Sequence, residues 1–455
     1  MCKEIYTDIE AHKTAYLVRL KRLLTQPSIS SQGVGLGETA DLLTGMLRSL
    51  GFKVEQVPID GPPVIVAQME GKRPERLLFY NHYDVQPVDP LEEWTTPPFE
   101  PTVREGKLYA RGAADNKGAI AARLGAIESY LRVHGSLPVG LTWIIEGEEE
   151  IGSPHLHQFV ESQRELLEGA IGCVWEAGGK NARDRYEIAL GCKGMLYLEL
   201  RVKGAARDLH SAMAATVVNP AWRLLWALNS IKGPDGAIRI PGFYDDVRPP
   251  TDAQRQALAE WEYPEEEVRA LLGIDAFLDG LTGMALKERL IFAPTCNIDG
   301  FHAGYAGPGS KTVLPARAYA KVDFRLVPDQ RPERVVEQLR EHLDRAGFDD
   351  VEIVWWNGEA PAAGDPDHPF VKVAVRTAEV VYGHRPTVLP MMAGTGPVHL
   401  LCGQFGVPIV TAGIGYADSR GHAPNENIRL EDFYEGVRYI ATLLAYLDRS
   451  DPERL

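Results

Sequence analysis

The sequence predicts an α/β protein with two units: a larger one with a mixed central sheet flanked by helices, and a smaller inserted one of the ferredoxin-like α+β type. The 455 residues exceed what one hydrophobic core usually supports, so two domains are expected. Helix-sized and strand-sized patterns alternate first, change to a β-α-β-β-α-β order from about Leu196, and resume from Phe370. The smaller unit therefore lies within the sequence of the larger one.

The composition is typical of a globular protein, with 45% hydrophobic and 24% charged residues. The formal net charge of -15 argues against nucleic acid or an anionic membrane as a partner, because binding to phosphate requires a basic face. No stretch is long and apolar enough to span a membrane, and residues 1–26 lack the apolar core of a secretion signal. We therefore expect a cytoplasmic location.

The first part of the chain predicts two helices followed by three strands. Apolar residues recur at helical spacing in the first two segments, and short apolar runs of strand length follow them. The third run delivers His82 and Asp84 at its carboxyl end, where open α/β sheets place their ligand sites. The helices are expected at Ile5–Thr25 and Leu36–Leu50, and the strands at Lys53–Val57, Pro63–Met69 and Arg76–Tyr80.

The stretch Tyr109–Gly118 connects a strand predicted at Lys107–Ala110 to a helix predicted at Asn116–Val133. Asp115 lies at the start of this helix, where a carboxylate is also an ordinary N-cap. The local pattern alone leaves both interpretations open, a capping residue or a ligand in a functional site.

Two further strands end on acidic residues. A strand predicted at Val139–Ile145 runs into three consecutive glutamates, Glu148 to Glu150, and one predicted at Ala170–Trp175 ends on Glu176. A triple-Glu run in isolation is usually a solvated surface. Because an apolar strand precedes it here, we expect the run to face a crevice at the sheet edge.

The inserted unit contains a largely helical segment between Gly233 and Phe292. After it, the first pattern returns and carries Gly421-His422 in a glycine-rich loop. We predict that the larger domain comprises residues 1–203 and 362–455, and that the inserted domain comprises residues 204–361. The remaining strands are expected at Leu196–Lys203, Thr295–Asp299, Ala316–Val327, Val351–Trp356, Thr387–Leu389 and Pro408–Thr411, and the remaining helices at Asn219–Ile231, Pro332–Ala346, Phe370–Tyr382, Gly396–Cys402 and Leu430–Leu447.

Side chains that commonly bind metals gather at these predicted strand ends. So many clustered carboxylates would cost several kcal/mol per ion unless they take up protons or cations neutralise them. Imidazole and carboxylate ligands suit zinc, with manganese or cobalt as alternatives, and the five scattered cysteines contain no C-x-x-C motif of a thiolate site. The cluster comprises His82, Asp84, Asp115, Glu149, Glu150, Glu176 and His422.

Two metal ions would account for this set of residues. A pair of ions about 3.5 to 4 Å apart needs one shared carboxylate plus an acid and an imidazole for each ion, which leaves one acid as a proton shuttle. A water shared by the ions would lose a proton at about pH 7. Asp84, two residues after His82, is spaced to accept a hydrogen bond from the ring nitrogen that does not bind metal.

Four motifs occur in order along the chain: His82-x-Asp84, Arg111-Gly112-x-x-Asp115-x-Lys117-Gly118, Glu149-Glu150-x-Gly152-Ser153 and Gly421-His422. Together they resemble the signature of the M20 family of dinuclear zinc peptidases. The segments Tyr83-Asp84-Val85-Gln86-Pro87 and Trp94-x-x-Pro97-Pro98-Phe99-Glu100-Pro101 are most similar to its branch of carnosinase-like and cytosolic nonspecific dipeptidases. The resemblance runs from the first helices to the last.

The resemblance implies a catalytic domain of the zinc-peptidase type that binds two divalent metal ions, Zn²⁺ first, with Mn²⁺ or Co²⁺ as alternatives. Asp115 would bridge the two ions, Glu149 would be the catalytic general base and acid, and Asp84 would assist catalysis. Glu176 stands where Asp is the commoner ligand. One ion would also hold His82 and Glu176, and the other Glu150 and His422.

The resemblance also implies that the inserted domain is a lid and dimerisation domain that contacts the substrate. His210 would reach the substrate carbonyl, often across a dimer interface, and Thr312 matches a substrate-contacting position. The guanidinium fork of Arg325 suits a C-terminal carboxylate, and Gly394-Thr395 resembles a carboxylate-binding turn. On the residues alone, Arg325 could equally be an ion-pair partner within a sheet, and His210 a turn or interface residue.

The function that these implications predict is metal-dependent hydrolysis of dipeptides or short peptides with a free C-terminal carboxylate. A water bridging two metal ions would attack the scissile carbonyl, with Glu149 as the base. The alternative is an N-acyl-amino-acid deacylase or desuccinylase on the same dinuclear site. A non-catalytic binding protein that kept only the fold is the alternative from another class. The expected partners are a small peptide substrate and a second copy of the chain in a homodimer.

Overall fold

The computed structural model describes residues 2–448 and confirms the α/β class with an inserted ferredoxin-like unit. The α-helices are α1 Cys2–Thr25, α2 Leu36–Ser49, α3 Lys117–His134, α4 Leu156–Ser162, α5 Pro220–Ile231, α6 Asp252–Glu260, α7 Glu265–Leu272, α8 Gly283–Phe292, α9 Pro332–Arg345, α10 Pro369–Tyr382, α11 Val398–Leu401 and α12 Leu430–Leu447.

The longest strands belong to the two main sheets. The strands are β1 Lys53–Val57, β2 Val64–Met69, β3 Gly71–His82, β4 Thr102–Arg104, β5 Lys107–Tyr109, β6 Leu137–Glu146, β7 Gly172–Trp175, β8 Gly179–Lys180, β9 Tyr186–Ala189, β10 Gly194–Lys203, β11 Leu209–His210, β12 Thr295–Ala303, β13 Val313–Leu314, β14 Arg317–Leu326, β15 Glu352–Glu359, β16 Thr387–Leu389, β17 Ile409–Thr411, β18 Gly415–Tyr416 and β19 Asn427–Arg429.

The larger unit is built around a mixed six-stranded sheet in the order β1-β2-β6-β3-β7-β17. Strand β3 is parallel to β6 and β7, β17 is parallel to β7, and β1 and β2 run antiparallel at one edge. Successive residues of β3 enter different cores: Leu77 and Phe79 pack with α1, α3, α10 and α12, whereas Leu78 and Tyr80 pack with α4 and α11. Helices therefore cover both faces of the sheet.

The inserted unit has its own core and a four-stranded antiparallel sheet in the order β12-β14-β10-β15. Helices α5 and α9 pack on one face of this sheet, which gives the predicted β-α-β-β-α-β arrangement. Helices α6, α7 and α8 form the expected helical segment before β12. Strand β10 pairs within this second sheet although it precedes residue 204, so the pairing favours a start of the domain near residue 194. The division of the chain into domains stays a prediction.

Several local expectations differ from the structure. Strand β3 continues two residues past the predicted end, to His82, and α11 covers four residues of the predicted helix Gly396–Cys402. The capping interpretation of Asp115 is wrong, because Asn116 occupies the N-cap position of α3 and makes no side-chain cap. Two small sheets, β16-β9-β8-β18 and β19-β5-β4, contain five strands that the sequence did not predict, namely β4, β8, β9, β18 and β19. Each has four residues or fewer, which is too few for a periodic pattern to appear. Within the described residues, no helix is long and apolar enough to cross a membrane.

Candidate metal centre and active site

The polar cluster lies at the carboxyl ends of three neighbouring parallel strands. Strand β3 ends at His82, β6 runs into the short helical turn Glu149–Ile151, and Glu176 directly follows β7. Parallel strands present their carboxyl ends at one edge of a sheet, so residues far apart in sequence meet there. Asp115 joins them from the turn that leads into α3.

Asp115 lies at the centre of the cluster and contacts both predicted histidine ligands. Its Oδ1 atom lies 3.0 Å from Nε2 of His82, and its Oδ2 atom lies 3.0 Å from Nε2 of His422. His422 also lies 3.1 Å from Oε2 of Glu150. Each Asp115 oxygen thus faces a different imidazole, which is the arrangement expected of a carboxylate shared between two sites.

Two groups of side chains have donor atoms close enough together to hold a metal ion. In each group the ligand atoms lie within 4.8 Å of one another, and Asp115 belongs to both groups. The structure therefore brings together all five residues that the sequence suggested as ligands. The first group is His82, Asp115 and Glu176, and the second is Asp115, Glu150 and His422.

The chemistry of these groups fits divalent metal ions. Burial acts to raise the pKa of Asp115, but the hydrogen bonds from His422 and His82 outweigh it and hold that pKa below its usual range. Burial raises the pKa of Glu176 to about 7, because a carboxylate removed from water needs a compensating positive charge. The Oε1 atom of Glu150 is buried and has no hydrogen-bond partner among the described residues. A cation would satisfy all three carboxylates.

Asp84 is fully buried and connects His82 to the glutamate turn. Nδ1 of His82, the ring nitrogen that faces away from Asp115, lies 3.3 Å from the Oδ1 atom of Asp84 and also 3.0 Å from its backbone carbonyl oxygen. The two carboxylate oxygens of Asp84 also accept hydrogen bonds from the backbone N–H groups of Glu149 at 3.2 Å and Glu150 at 3.0 Å. The sequence spacing predicted the first contact but carried no signal for the second.

Glu176 is oriented by an amide side chain that the sequence did not single out. Nδ2 of Asn116 donates to Oε2 of Glu176 at 3.0 Å, and Oδ1 of Asn116 accepts from the side chain of Asn81. Arg123, which is 1% exposed, donates to Oδ1 of Asn81 at 2.5 Å and to the carbonyl of Trp175 at 2.7 Å. This network joins the residues beside His82 and Glu176 to α3.

A cavity of about 320 Å³ opens beside the cluster. Glu149 borders it and belongs to neither metal-binding group, so it is an acid next to the groups that remains available for proton transfer. Burial is the main cause that raises the pKa of Glu149 above its ordinary value. The cavity wall combines the polar cluster with apolar side chains from Trp175, Met392 and Val398. Such a mixed wall suits a small ligand with one reactive polar bond.

The predicted substrate-binding residues fall into two places. Nη1 of Arg325 donates to Oγ1 of Thr395 at 2.8 Å, and Thr395 lines the cavity, whereas Arg325 itself and Gly394, next to Thr395 in sequence, do not line it. His210 and Thr312 lie together elsewhere, where β11 pairs with β13, and both are exposed. Neither borders the cavity within the chain described here.

The turn before α3 is held by two glycines of the second motif and by Glu426, which lies outside the motifs. Gly112 has a φ of +83°, a conformation that glycine adopts without strain, and its N–H points at the carboxylate of Glu426. A Cβ atom on Gly118 would lie 2.0 Å from the carbonyl oxygen of Ala113, which explains why a glycine is needed there. The signal that could have identified Glu426 is an acid placed directly before strand β19 in the His422 loop.

Comparison with known protein families agrees with this geometry. Residues 78–446 match the model of peptidase family M20/M25/M40, and this match covers most of the chain. The chain belongs to this family. It is therefore a hydrolase of the metallopeptidase type, and the M20 resemblance predicted from its motifs is confirmed.

Relatives within the M20 family match this chain over nearly its whole length. The crystal structure of an M20 family metallo-carboxypeptidase from Sulfolobus solfataricus is 40% identical, with a TM-score of 0.90, and covers 96% of this chain and 99% of its own. The Cys-Gly metallodipeptidase of Schizosaccharomyces pombe is 28% identical over 99% of both chains. Human carnosine dipeptidase 1 is 27% identical with a TM-score of 0.78, covering 99% of this chain and 100% of its own.

Proposed function

We propose that this M20 peptidase hydrolyses the peptide bond of dipeptides and short peptides that have a free C-terminal carboxylate. The observation that carries the proposal is the pair of metal-binding groups that share Asp115, with Glu149 beside them in the same cavity. The names of two relatives support it, since both are dipeptidases with chains of similar length. The substrate class is small peptides.

The proposed metal centre holds two divalent ions, with zinc first and manganese or cobalt as alternatives. Asp115 would be ligand to both ions. When bound, the ions would act as Lewis acids that polarise the scissile carbonyl and supply positive charge beside it. One ion would be held by His82, Asp115 and Glu176, and the other by Asp115, Glu150 and His422.

Glu149 is the proposed general base and acid. It takes a proton from the attacking water and returns it to the leaving amine, which requires a carboxylate close to both atoms. The two hydrogen bonds from the Glu149 and Glu150 N–H groups to Asp84 fix the backbone of this turn. Asp84 does not border the cavity, so in this mechanism it positions Glu149 and His82 without touching the substrate.

Arg325, with Thr395 and Gly394, is proposed to bind the C-terminal carboxylate of the substrate. The guanidinium group is held beside the cavity wall by its hydrogen bond with Thr395, and its fork matches a carboxylate in two-point geometry. A cation at a fixed distance from the reacting bond selects the last peptide bond of a substrate, because the C-terminal carboxylate lies one residue beyond that bond.

His210 and Thr312 are proposed to complete the active site of a partner subunit in a homodimer. Their position away from the cavity of their own chain supports this, and helix α5 offers an apolar surface for association. Trp222 and Trp226 on α5 are 57% and 56% exposed, and large exposed apolar side chains commonly mark interfaces. We also propose a cytoplasmic location for the enzyme.

A substrate panel tests the function. Purified protein with added zinc or manganese should release amino acids from dipeptides and leave N-acetyl and N-succinyl amino acids largely intact. The deacylase alternative is less favoured, because the relative from Schizosaccharomyces pombe is named a metallodipeptidase and the structure from Sulfolobus solfataricus a metallo-carboxypeptidase. Hydrolysis of the acylated amino acids alone would contradict the proposal.

A second candidate is carboxypeptidase activity, which the 40% identical structure from Sulfolobus solfataricus favours. The two activities differ in whether a longer peptide is accepted on the amino side of the scissile bond. Tripeptides and tetrapeptides distinguish them: a carboxypeptidase releases their last residue about as rapidly as it cleaves a dipeptide, whereas a dipeptidase cleaves them far more slowly.

A further inference from the structure

Glu426 is a completely buried carboxylate that the proposed reaction does not use. It lies four residues after His422 and directly before strand β19. Burial of a carboxylate costs free energy unless a positive charge and hydrogen bonds replace the lost water. Glu426 has both, and all the hydrogen bonds of its side chain come from the segment that carries Asp115.

The two oxygens of Glu426 accept four hydrogen bonds. Oε2 accepts from Nη1 of Arg111 at 2.7 Å and from the N–H of Gly112 at 3.0 Å. Oε1 accepts from the N–H of Ala114 at 2.8 Å and from the N–H of Asp115 itself at 3.0 Å. Several backbone N–H groups that converge on one anion fix the conformation of the turn that supplies them.

Arg111 and the backbone reinforce this attachment. The Arg111 side chain is 1% exposed, and its Nη2 atom donates to the carbonyl of Pro87 at 2.9 Å. The N–H of Ala110 donates to the carbonyl of Glu426 at 3.1 Å. The side chain and the main chain of residue 426 therefore both hold the segment from residue 110 to residue 115.

From this geometry we infer that Glu426 is a positioning residue that sets the distance between Asp115 and His422 before any metal binds. Asp115 lies on the turn that Glu426 clamps, and His422 lies on the same loop as Glu426. Their side chains meet at 3.0 Å, so a shift of either segment would change the geometry of the second metal-binding group. The inference rests on the proposed dinuclear function, because a fixed distance matters only if both residues are ligands.

Zinc affinity in Glu426→Gln provides the test. The variant keeps the size of the side chain. Its amide NH₂ group, however, would face backbone N–H groups that need an acceptor, and Arg111 would lose the negative charge that it pairs with. We expect the affinity for zinc, measured by chelator competition, to fall by about 10- to 100-fold, as is typical when a group that orients metal ligands is lost.

Asp432→Asn is the matched control. Asp432 is 4% exposed, pairs with Lys180 at 2.8 Å and also binds Arg429, and none of these three residues borders the cavity. Both variants should lower the melting temperature of the metal-free protein, but only Glu426→Gln should weaken zinc binding. If zinc affinity in Glu426→Gln equals that of Asp432→Asn, Glu426 stabilises the fold without positioning Asp115, and the inference is wrong.

Amide hydrogen exchange on the wild-type chain keeps the test decisive if Glu426→Gln does not fold. The N–H groups of Gly112, Ala114 and Asp115 should exchange slowly both with and without zinc, because Glu426 binds them in either state. Rapid exchange of these amides in the metal-free chain would overturn the inference. The proposed function fails by a different result, namely wild-type protein that binds no zinc at all.

Discussion

Asp115 lies between two imidazoles, and this position distinguishes it from every other ligand in the cluster. Replacing it with alanine should lower the affinity for both metal ions by more than the roughly 10- to 100-fold typical of residues that only orient a ligand. His82→Ala and His422→Ala should each weaken mainly one ion, since each imidazole belongs to one group. Metal content after dialysis, measured by atomic emission, separates these outcomes. One tightly held ion in Asp115→Ala would contradict the bridging role.

Glu149→Gln isolates proton transfer from metal binding. The variant should keep two metal ions, since Glu149 belongs to neither group, while kcat falls by about 10²- to 10⁴-fold through loss of the general base. Glu148→Gln is the control, because the neighbouring Glu148 bonds to His155 at 3.0 Å and does not border the cavity. It should retain nearly normal kcat. A Glu149→Gln enzyme with wild-type turnover would refute the mechanism.

Among individual residues, the sequence identified those that lie within recognisable motifs at strand ends. His82, Glu150 and Glu176 follow apolar runs of strand length, whose carboxyl ends are expected at a common edge. The supporting contacts could not be predicted the same way. Asn116 and Glu426 each contact residues that are distant in the sequence and that only the folded chain brings close. A single Asn or Glu that becomes buried also looks like an ordinary surface residue in the sequence.

Helix α3 is the element that connects the metal centre to the core of the larger unit. Arg123 on its buried face donates to the carbonyl of Tyr80, the side chain of Asn81 and the carbonyl of Trp175, and so ties the ends of β3 and β7 together. Its guanidinium is removed from water, and burial lowers the pKa of Arg123 to about 10.

We expect Arg123→Met to reduce the free energy of unfolding by about 3 to 5 kcal/mol, because three buried acceptors would each lose a hydrogen bond from a charged donor. Arg132→Met on the same helix is the control. Arg132 makes ion pairs with Asp8 and Glu128 near the surface, and such pairs contribute about 1 kcal/mol or less. Urea unfolding of the two metal-free variants measures the difference. Equal losses would show that Arg123 does not join the strand ends.

The sequence predicted the bounds of some elements without error, and these include short strands as well as a long helix. The helix expected at Leu430–Leu447 and the strands expected at Lys53–Val57 and Thr387–Leu389 have the same bounds in the structure. The strands that were missed, such as Gly179–Lys180, span too few residues for alternation to appear. Gly179–Lys180 pairs with Gly415–Tyr416, which lies far along the chain, and a local sequence pattern cannot predict such a partner.

The arrangement of the whole molecule leaves the proposed carbonyl-binding His210 outside the cavity of its own chain. The sheet of the inserted unit places Arg325 against Thr395 of the cavity wall, whereas β11 and β13 hold His210 and Thr312 on an exposed part of that unit. If every chain supplies His210 to its neighbour, each active site is made from two chains. A monomer would then have all its metal ligands and still hydrolyse peptides poorly.

Subunit complementation tests this arrangement. His210→Ala and Glu149→Gln homodimers should both be nearly inactive. A heterodimer of the two variants, co-expressed with different affinity tags and purified on both, contains one complete site if His210 acts across the interface, and should recover about half of the wild-type activity per dimer. If His210 acts within its own chain, both sites of the heterodimer carry a defect and activity stays at the level of the homodimers. Failure to recover any doubly tagged species would contradict the homodimer itself.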